Sequence, residues 1–110
     1  MTKTQALEQI DKELSTAKHA QKIGNDGMVR VCARRAAGNA IGFWLETNPR
    51  PGWGVDAIGR LKNLQHDETI PTDVRDAAAR LTTKITEQFT SPFPTDPIHD
   101  SEIIIRHLLR

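Results

Sequence analysis

The sequence has a single cysteine, Cys32, no tyrosine, and aromatic side chains at only 5% of its positions. One cysteine cannot form an internal disulfide, so an ordinary core has to hold the fold, as is usual in reducing compartments. So few aromatic rings make a platform for stacking nucleic-acid bases unexpected. Residues 1–5 lack the apolar stretch of a secretory signal, and no apolar run approaches the roughly 20 residues of a membrane-spanning helix. We therefore expect a cytoplasmic protein that does not bind membranes.

An excess of charge of one sign is also missing, because 15 lysines and arginines stand against 14 aspartates and glutamates. The resulting net charge of +1 gives no overall attraction to nucleic acid. The length of 110 residues suits one ordinary domain. Glycine-rich phosphate loops, Cys-x-x-Cys pairs and Ser-His-Asp arrangements do not stand out. We predict one domain over residues 1–110, with no cofactor and no bound metal.

Apolar periodicity predicts two long helices in the first half of the chain. Over residues 4–23 apolar side chains recur at steps of three and four, at Leu7, Ile10, Leu14 and Ala17. Thr2 and Gln5 have the spacing of a capping box, which would start the helix slightly earlier. A turn at residues 24–27 follows, and Asp26 is the expected N-cap of the next helix. A connection this short predicts antiparallel neighbours.

The second helix, predicted over residues 28–47, carries small and apolar residues on both sides. One wide arc contains Val29, Cys32, Ala33, Ala36, Ala37, Ala40, Phe43 and Trp44. A second surface, nearly opposite, contains Val31, Gly38, Gly42 and Leu45. Glycine inside a helix costs up to about 1 kcal/mol relative to alanine, so the two glycines indicate a close contact. The helix should be central, and its second surface faces either another helix of the chain or a second subunit.

Two shorter helices are predicted next. Residues 55–64 form the third, with Ile58, Leu61 and Leu64 facing inward. The fourth begins near Pro71, and Thr72 is its expected N-cap. Its apolar stripe comprises Val74, Ala78, Leu81, Ile85 and Phe89. A proline-rich connector over residues 90–97 should then be non-helical.

The last helix is expected to begin near Asp100 or Ser101. It carries the apolar residues Ile103, Ile104, Ile105, Leu108 and Leu109. Three consecutive isoleucines also suit a buried strand. We reject a strand because the sequence offers no second strand to pair with it. The fold class is therefore all-α, an antiparallel bundle of about five helices.

The order of these features resembles the HEPN domains of prokaryotes over nearly the whole chain. Two long antiparallel helices come first, the second rich in small residues over residues 31–41. A short and a longer helix follow, then a connector with Phe93 and Pro94, and a final helix after an acidic cap. The resemblance implies a compact bundle that commonly forms a homodimer. It also implies two kinds of partner, since some members accompany small nucleotidyltransferases and many cleave RNA without a metal.

HEPN ribonucleases use an arginine followed after four to six residues by a histidine, and only Arg60 and His66 match here. In phosphodiester cleavage the histidine would move protons and the arginine would stabilise charge on phosphorus. The match departs from the family pattern, since Leu61 replaces a usually polar residue and the pair lies early in the chain. A six-residue step along a helix also turns the two side chains about 120° apart. We therefore expect a non-catalytic interaction or accessory module, with RNA cleavage or RNA or nucleotide binding by this pair as the alternative.

Arg30, Arg34 and Arg35 form a basic group on the second helix. They could contact phosphate or RNA, or form a solvated face paired with carboxylates. At least one of Arg34 and Arg35 could be partly buried and paired, because both lie among small residues.

Three other residues are candidates for a functional site. Trp53 is expected to cover one end of the bundle rather than anchor a ligand. Cys32 is expected to be a small core residue. His99 lies near Asp96 and Asp100, but their spacing matches no metal-ligand pattern, so a solvent-exposed histidine is expected.

Overall fold

The structure is a computed structural model that describes residues 1–83 and 96–109. Within those ranges the chain forms five α-helices and no strand, which confirms the predicted all-α bundle. The helices are α1 (Lys3–Lys22), α2 (Asp26–Thr47), α3 (Ala57–Gln65), α4 (Thr72–Thr82) and α5 (Pro97–Leu109). The predicted stripe residues Ile85 and Phe89, and connector residues 90–95, lie outside the described residues.

The start of α1 is the capping box that the sequence predicts. The Thr2 hydroxyl accepts a hydrogen bond from the Gln5 amide at 3.1 Å. In return, the Gln5 side chain accepts one from the Thr2 amide at 2.8 Å. Two of the unpaired amides at this helix end are thereby satisfied. After the helix ends, Gly24 adopts a φ of +75°, which lets the chain reverse into α2.

The N-caps of α2 and α4 differ from the prediction. Asn25, not Asp26, caps α2, because its side-chain oxygen accepts the Met28 amide at 3.1 Å. Thr72 is the first residue of α4 rather than its cap. Pro71 occupies the cap position and makes no side-chain cap hydrogen bond. In both cases the cap position lies one residue before the expected one.

α3 begins at Ala57, two residues later than predicted. The cause is Asp56, whose carboxylate accepts a hydrogen bond from the Gly59 amide at 2.8 Å. An aspartate in this position satisfies an amide of the first turn and so sets where the helix starts.

α5 begins at Pro97, several residues before Asp100 and Ser101, so the prediction that the connector extends through Pro97 is wrong. The Asp96 carboxylate accepts a hydrogen bond from the His99 amide at 3.1 Å. Proline suits the first helical position because the amide that it lacks would have no helical partner there. The early start places Asp100 and Ser101 inside the helix, and both are buried.

α2 lies at the centre, with α1, α3 and α5 packed around it, while α4 packs on α3 and α5. The largest core cluster joins α2 to the second half of the chain. Its buried members are Ala33, Ala37, Ile41, Leu61, Leu64, Ile70, Val74, Ala77, Ala78, Leu81 and Ile104. Every residue that α2 contributes to it except Ile41 is an alanine, so the neighbouring helices approach the α2 backbone closely.

Two smaller clusters join α1, α2 and α5. One contains Ile10, Ala36, Ala40, Ile105 and Leu109, and the other contains Ala17, Ala20, Val29, Cys32 and Ile98. Cys32 is 1% exposed, which confirms its expected place in the core. The fully buried Ser101 hydroxyl donates to the Ala33 carbonyl at 2.8 Å and so joins α5 to α2 by a polar contact as well.

The two glycines of the second α2 surface are covered by α3 of the same chain. A Cβ added to Gly38 would lie 2.8 Å from Ala57 Cβ and 2.9 Å from Ala57 Cα. Gly42 faces the Arg60 guanidinium. The close contact that the glycines indicate is therefore a helix crossing within the chain.

Replacing Gly38 by alanine should destabilise the fold. The new Cβ would meet the Ala57 backbone, which cannot rotate away, so α2 and α3 have to separate. We expect the free energy of unfolding, measured by urea titration, to fall by about 1–3 kcal/mol. Gly27→Ala on the same helix is the control, because the nearest atom to its added Cβ is 3.8 Å away. That control should be neutral or slightly stabilising, and an equal effect of both variants would contradict the interpretation.

Candidate functional site

Arg60 is held by backbone carbonyls of its own chain. Its Nη1 donates to the Gly38 carbonyl at 3.2 Å, and its Nε donates to the Gly54 carbonyl at 3.2 Å. The guanidinium also packs against Gly42. These contacts join α3 to α2 and to the loop before α3, so the side chain has a structural use.

His66 lies at the other end of α3. It is the C-cap residue, its amide donates to Asn63, and its side chain is exposed. The helix therefore ends before the histidine, as a catalytic arrangement would require. Arg60, however, points toward α2, and about 9 Å of helix rise separates the two positions. The structure does not bring the two side chains together on one site.

Arg30 and Arg34 bind the carboxyl end of α4. Arg30 is only 7% exposed, and its Nη2 donates to the carbonyls of Arg80 at 3.3 Å and Thr83 at 2.9 Å. Arg34 is half-buried, and its Nε donates to the Leu81 carbonyl at 2.6 Å. The last carbonyls of a helix have no partner within the helix, and they carry its negative dipole end. The two arginines therefore supply α4 with a C-terminal cap from another helix.

Arg35 does not join its two neighbours, because its side chain is exposed. The predicted basic group of three thus divides into a capping pair, with Arg30 buried and Arg34 half-buried, and a solvated residue. The expectation of a partly buried arginine holds for Arg34, whose bonded partner is a backbone carbonyl instead of a carboxylate.

A partly buried ion pair, absent from the sequence-based candidates, lies beside this cap. The Arg80 Nε donates to Asp100 Oδ1 at 3.0 Å, and the Arg80 Nη2 lies 2.9 Å from the same oxygen. The Asp100 side chain is 5% exposed and that of Arg80 is 34% exposed. The bond to Asp100 raises the pKa of Arg80. With Pro97 placed in the connector, the sequence predicts Asp100 at the start of the last helix rather than inside it. Recognising Pro97 as the first helical residue would have placed Asp100 in the helix interior.

The cations of the cap are poorly compensated. Burial lowers the pKa of Arg30, although the Asp100 charge acts in the opposite direction. Burial and the charge of Arg30 both lower the pKa of Arg34. Among the described residues, the buried Arg30 Nε has no hydrogen-bond partner. The cap therefore holds three cations beside one buried carboxylate, with Arg30 buried and Arg34 and Arg80 partly buried.

The remaining residues of the predicted interface have different surroundings. Leu45 is partly buried and packs on the largest core cluster. Val31 is 38% exposed, and Met28, one turn earlier on α2, is 42% exposed. Apolar surface on α2 thus remains open only toward its amino-terminal end, within the part of the chain that the structure describes.

Trp53 packs on the largest core cluster together with Trp44, with ring centroids 5.8 Å apart, which confirms its predicted structural role. The Arg50 guanidinium lies 5.1 Å above the Trp44 ring. Arg50 also forms an ion pair with Asp67, Nε to Oδ2 at 3.0 Å. This cluster attaches the loop after α2 to the loop before α4.

A shallow groove of about 440 Å³ lies between α1 and α5. Lys18, Lys22 and His99 contribute to its rim, as do Asp96 and Glu102. Charges of both signs alternate there, so the groove has no preference for a ligand of one sign. His99 is exposed as expected, and the described residues contain no group of three potential metal ligands.

None of the described helices combines the length and the apolar character that crossing a membrane requires.

Comparison of the chain with models of protein families, with curated proteins and with solved structures gives no match.

Asp67 should make stability depend on pH. Burial opposes ionisation, but hydrogen bonds from Thr69 and Arg50 outweigh it and hold the pKa of Asp67 below its ordinary 3.8. The stabilisation is therefore present above pH 3.8 and is lost as pH falls through the lower folded-state pKa. Asp67→Asn should reduce the free energy of unfolding by about 1–2 kcal/mol at neutral pH. In urea titrations of both proteins this difference should shrink as the pH is lowered below 3.8, and a constant difference would contradict the assignment.

Proposed function

We propose that the chain is a non-catalytic interaction module with a HEPN-like arrangement of helices, accessory to a larger complex. One observation carries the proposal, namely that the Arg60 guanidinium is directed toward α2, where it donates to the Gly38 carbonyl and packs against Gly42. A nuclease pair needs its arginine and its histidine to reach the same phosphate. Arg60 lies in the contact between α2 and α3, whereas His66 is exposed past the end of α3. A small nucleotidyltransferase-type protein is the partner class that the HEPN resemblance implies.

A homodimer is part of the same proposal. Val31 and Met28 are separated by one turn of α2, so they share a face, and both are exposed. Ile23, at the turn just before α2, is 65% exposed. Large apolar side chains that remain in water on one side of a helix favour contact with another protein surface. A second copy of the chain is the occupant that we propose.

Val31→Asp should weaken the dimer, because the interface would have to bury an unpaired carboxylate. Light scattering over a concentration series should show a dissociation constant raised by at least about tenfold, equivalent to ~1.4 kcal/mol. Val55→Asp is the matched control, since Val55 is 87% exposed in the loop before α3 and lies outside the proposed surface. A wild-type protein that stays monomeric at every concentration would rule out the dimer.

The second candidate function is metal-independent RNA cleavage, or binding of RNA or a nucleotide, through Arg60 and His66. The observation in its favour is that His66 is exposed beyond the end of α3, where a substrate could reach it. A second subunit could also supply the missing partner for this histidine. The position of Arg60 argues against this function, because its guanidinium is directed toward α2.

RNA degradation by the purified protein, without added metal, distinguishes the two functions. We expect no cleavage by the wild type, and no change with His66→Ala. Cleavage that disappears in His66→Ala would replace the proposed function with the nuclease. Equal traces in both proteins would indicate a contaminating nuclease, because an intrinsic activity would depend on the histidine.

A further inference from the structure

We propose that the arginine cap at the end of α4 is also a binding site for a phosphate-type oxyanion, held by Arg30 and Arg34. This inference is independent of the proposed interaction function. It starts from a count of charges at the site. The guanidinium groups of Arg30, Arg34 and Arg80 lie near the carboxyl end of one helix, and Asp100 is the buried carboxylate beside them.

The nearby carboxylates serve mainly Arg80. Asp100 accepts a hydrogen bond from Arg80 Nε and forms its ion pair with Arg80. The exposed Asp76, one turn before Arg80 on α4, also raises the pKa of Arg80. Asp100 acts on Arg30 only through space, and no described carboxylate is hydrogen-bonded to Arg34. The two α2 arginines thus have backbone carbonyls as partners but lack a bonded counter-ion among the described residues.

A guanidinium can bridge carbonyls and an anion at the same time. It is planar and carries five N–H donors that point along different edges. Arg30 uses Nη2 for its carbonyls, and Arg34 uses Nε. The Arg30 Nε is buried and has no hydrogen-bond partner among the described residues. Arg30 as a whole is more than nine-tenths buried. An unpaired buried donor on a cation is costly, and a bound oxyanion would remove that cost.

The surroundings favour a small oxyanion over a polynucleotide. Arg35, the next cation along α2, is not part of the cap. The hydrogen-bond partners described for the cap are backbone carbonyls at the end of α4 and the Asp100 carboxylate of α5. One phosphate group needs two or three donors, whereas a nucleic-acid strand needs a continuous basic track. Arg34 is half-buried, so solvent reaches this member of the pair.

Thermal unfolding in inorganic phosphate tests the inference, with sodium chloride at equal ionic strength as the reference. A ligand that binds only the folded state raises Tm, and at about ten times its Kd we expect a rise of roughly 4 °C. Arg34→Gln should lose at least about half of this phosphate-specific rise. Arg35→Gln is the matched control, because it removes the same charge from the adjacent exposed position. That control should retain the full rise.

Several outcomes would overturn the inference. One is a wild-type protein that phosphate stabilises no more than chloride, a result that does not depend on whether any variant folds. Equal loss of the rise in Arg34→Gln and Arg35→Gln would indicate general screening of charge. Binding that requires an RNA oligonucleotide, with no effect of inorganic phosphate, would also contradict a small-anion site. Should Arg34→Gln fail to fold, Arg34→Lys keeps the charge but lacks the fork, and it should show a weakened rise.

Discussion

The close approach of helix backbones to α2 is the constraint on which the rest of this fold depends. α2 contacts α1, α3 and α5, and most of its buried positions are alanine, glycine or cysteine. Small side chains let three helices surround one without leaving voids between them. At Gly38 the limit is reached, because even one methyl group would meet the Ala57 backbone. The larger apolar side chains are therefore supplied mainly by the surrounding helices.

Arginines make most of the polar connections between segments that are distant in sequence. Arg60 joins α3 to α2, Arg50 joins two loops, and Arg30 and Arg34 join α2 to the end of α4. The Arg60 acceptor lies inside α2 and the Arg50 acceptor is a carboxylate, whereas the acceptors of Arg30 and Arg34 are backbone carbonyls at the end of a helix. Such carbonyls lack partners within a helix, and a long side chain with several donors can reach them from another element. Basic residues that look available for a ligand in the sequence are thus partly committed to the fold.

This commitment separates the two functional proposals. A catalytic arginine and a capping arginine have the same donors, but the contacts of Arg60 leave it facing a helix rather than a substrate. The α4 cap differs because its cations outnumber the carboxylates bonded to them and one donor has no described partner. A buried donor without a partner, on a cation without a bonded carboxylate, is what points to a ligand, rather than the mere presence of arginine. Arg35 is exposed and takes no part in the cap.

Local patterns in the sequence are sufficient for the five helices of residues 1–83 and 96–109, the capping box at Thr2 and Gln5, and the core position of Cys32. Each of these depends on residues within a few positions of one another, so periodicity and cap chemistry are enough. Helix starts were less certain, because Asn25 and Asp26 are both good caps and Pro97 fits a connector as well as a first turn. The partners of Gly38, Arg30 and Asp100 lie about 20 to 50 residues away in the chain. A local sequence pattern cannot reveal contacts between residues so far apart in the chain. The packing of α2 against α3, α4 and α5 therefore determines which cations are buried and which surface remains open.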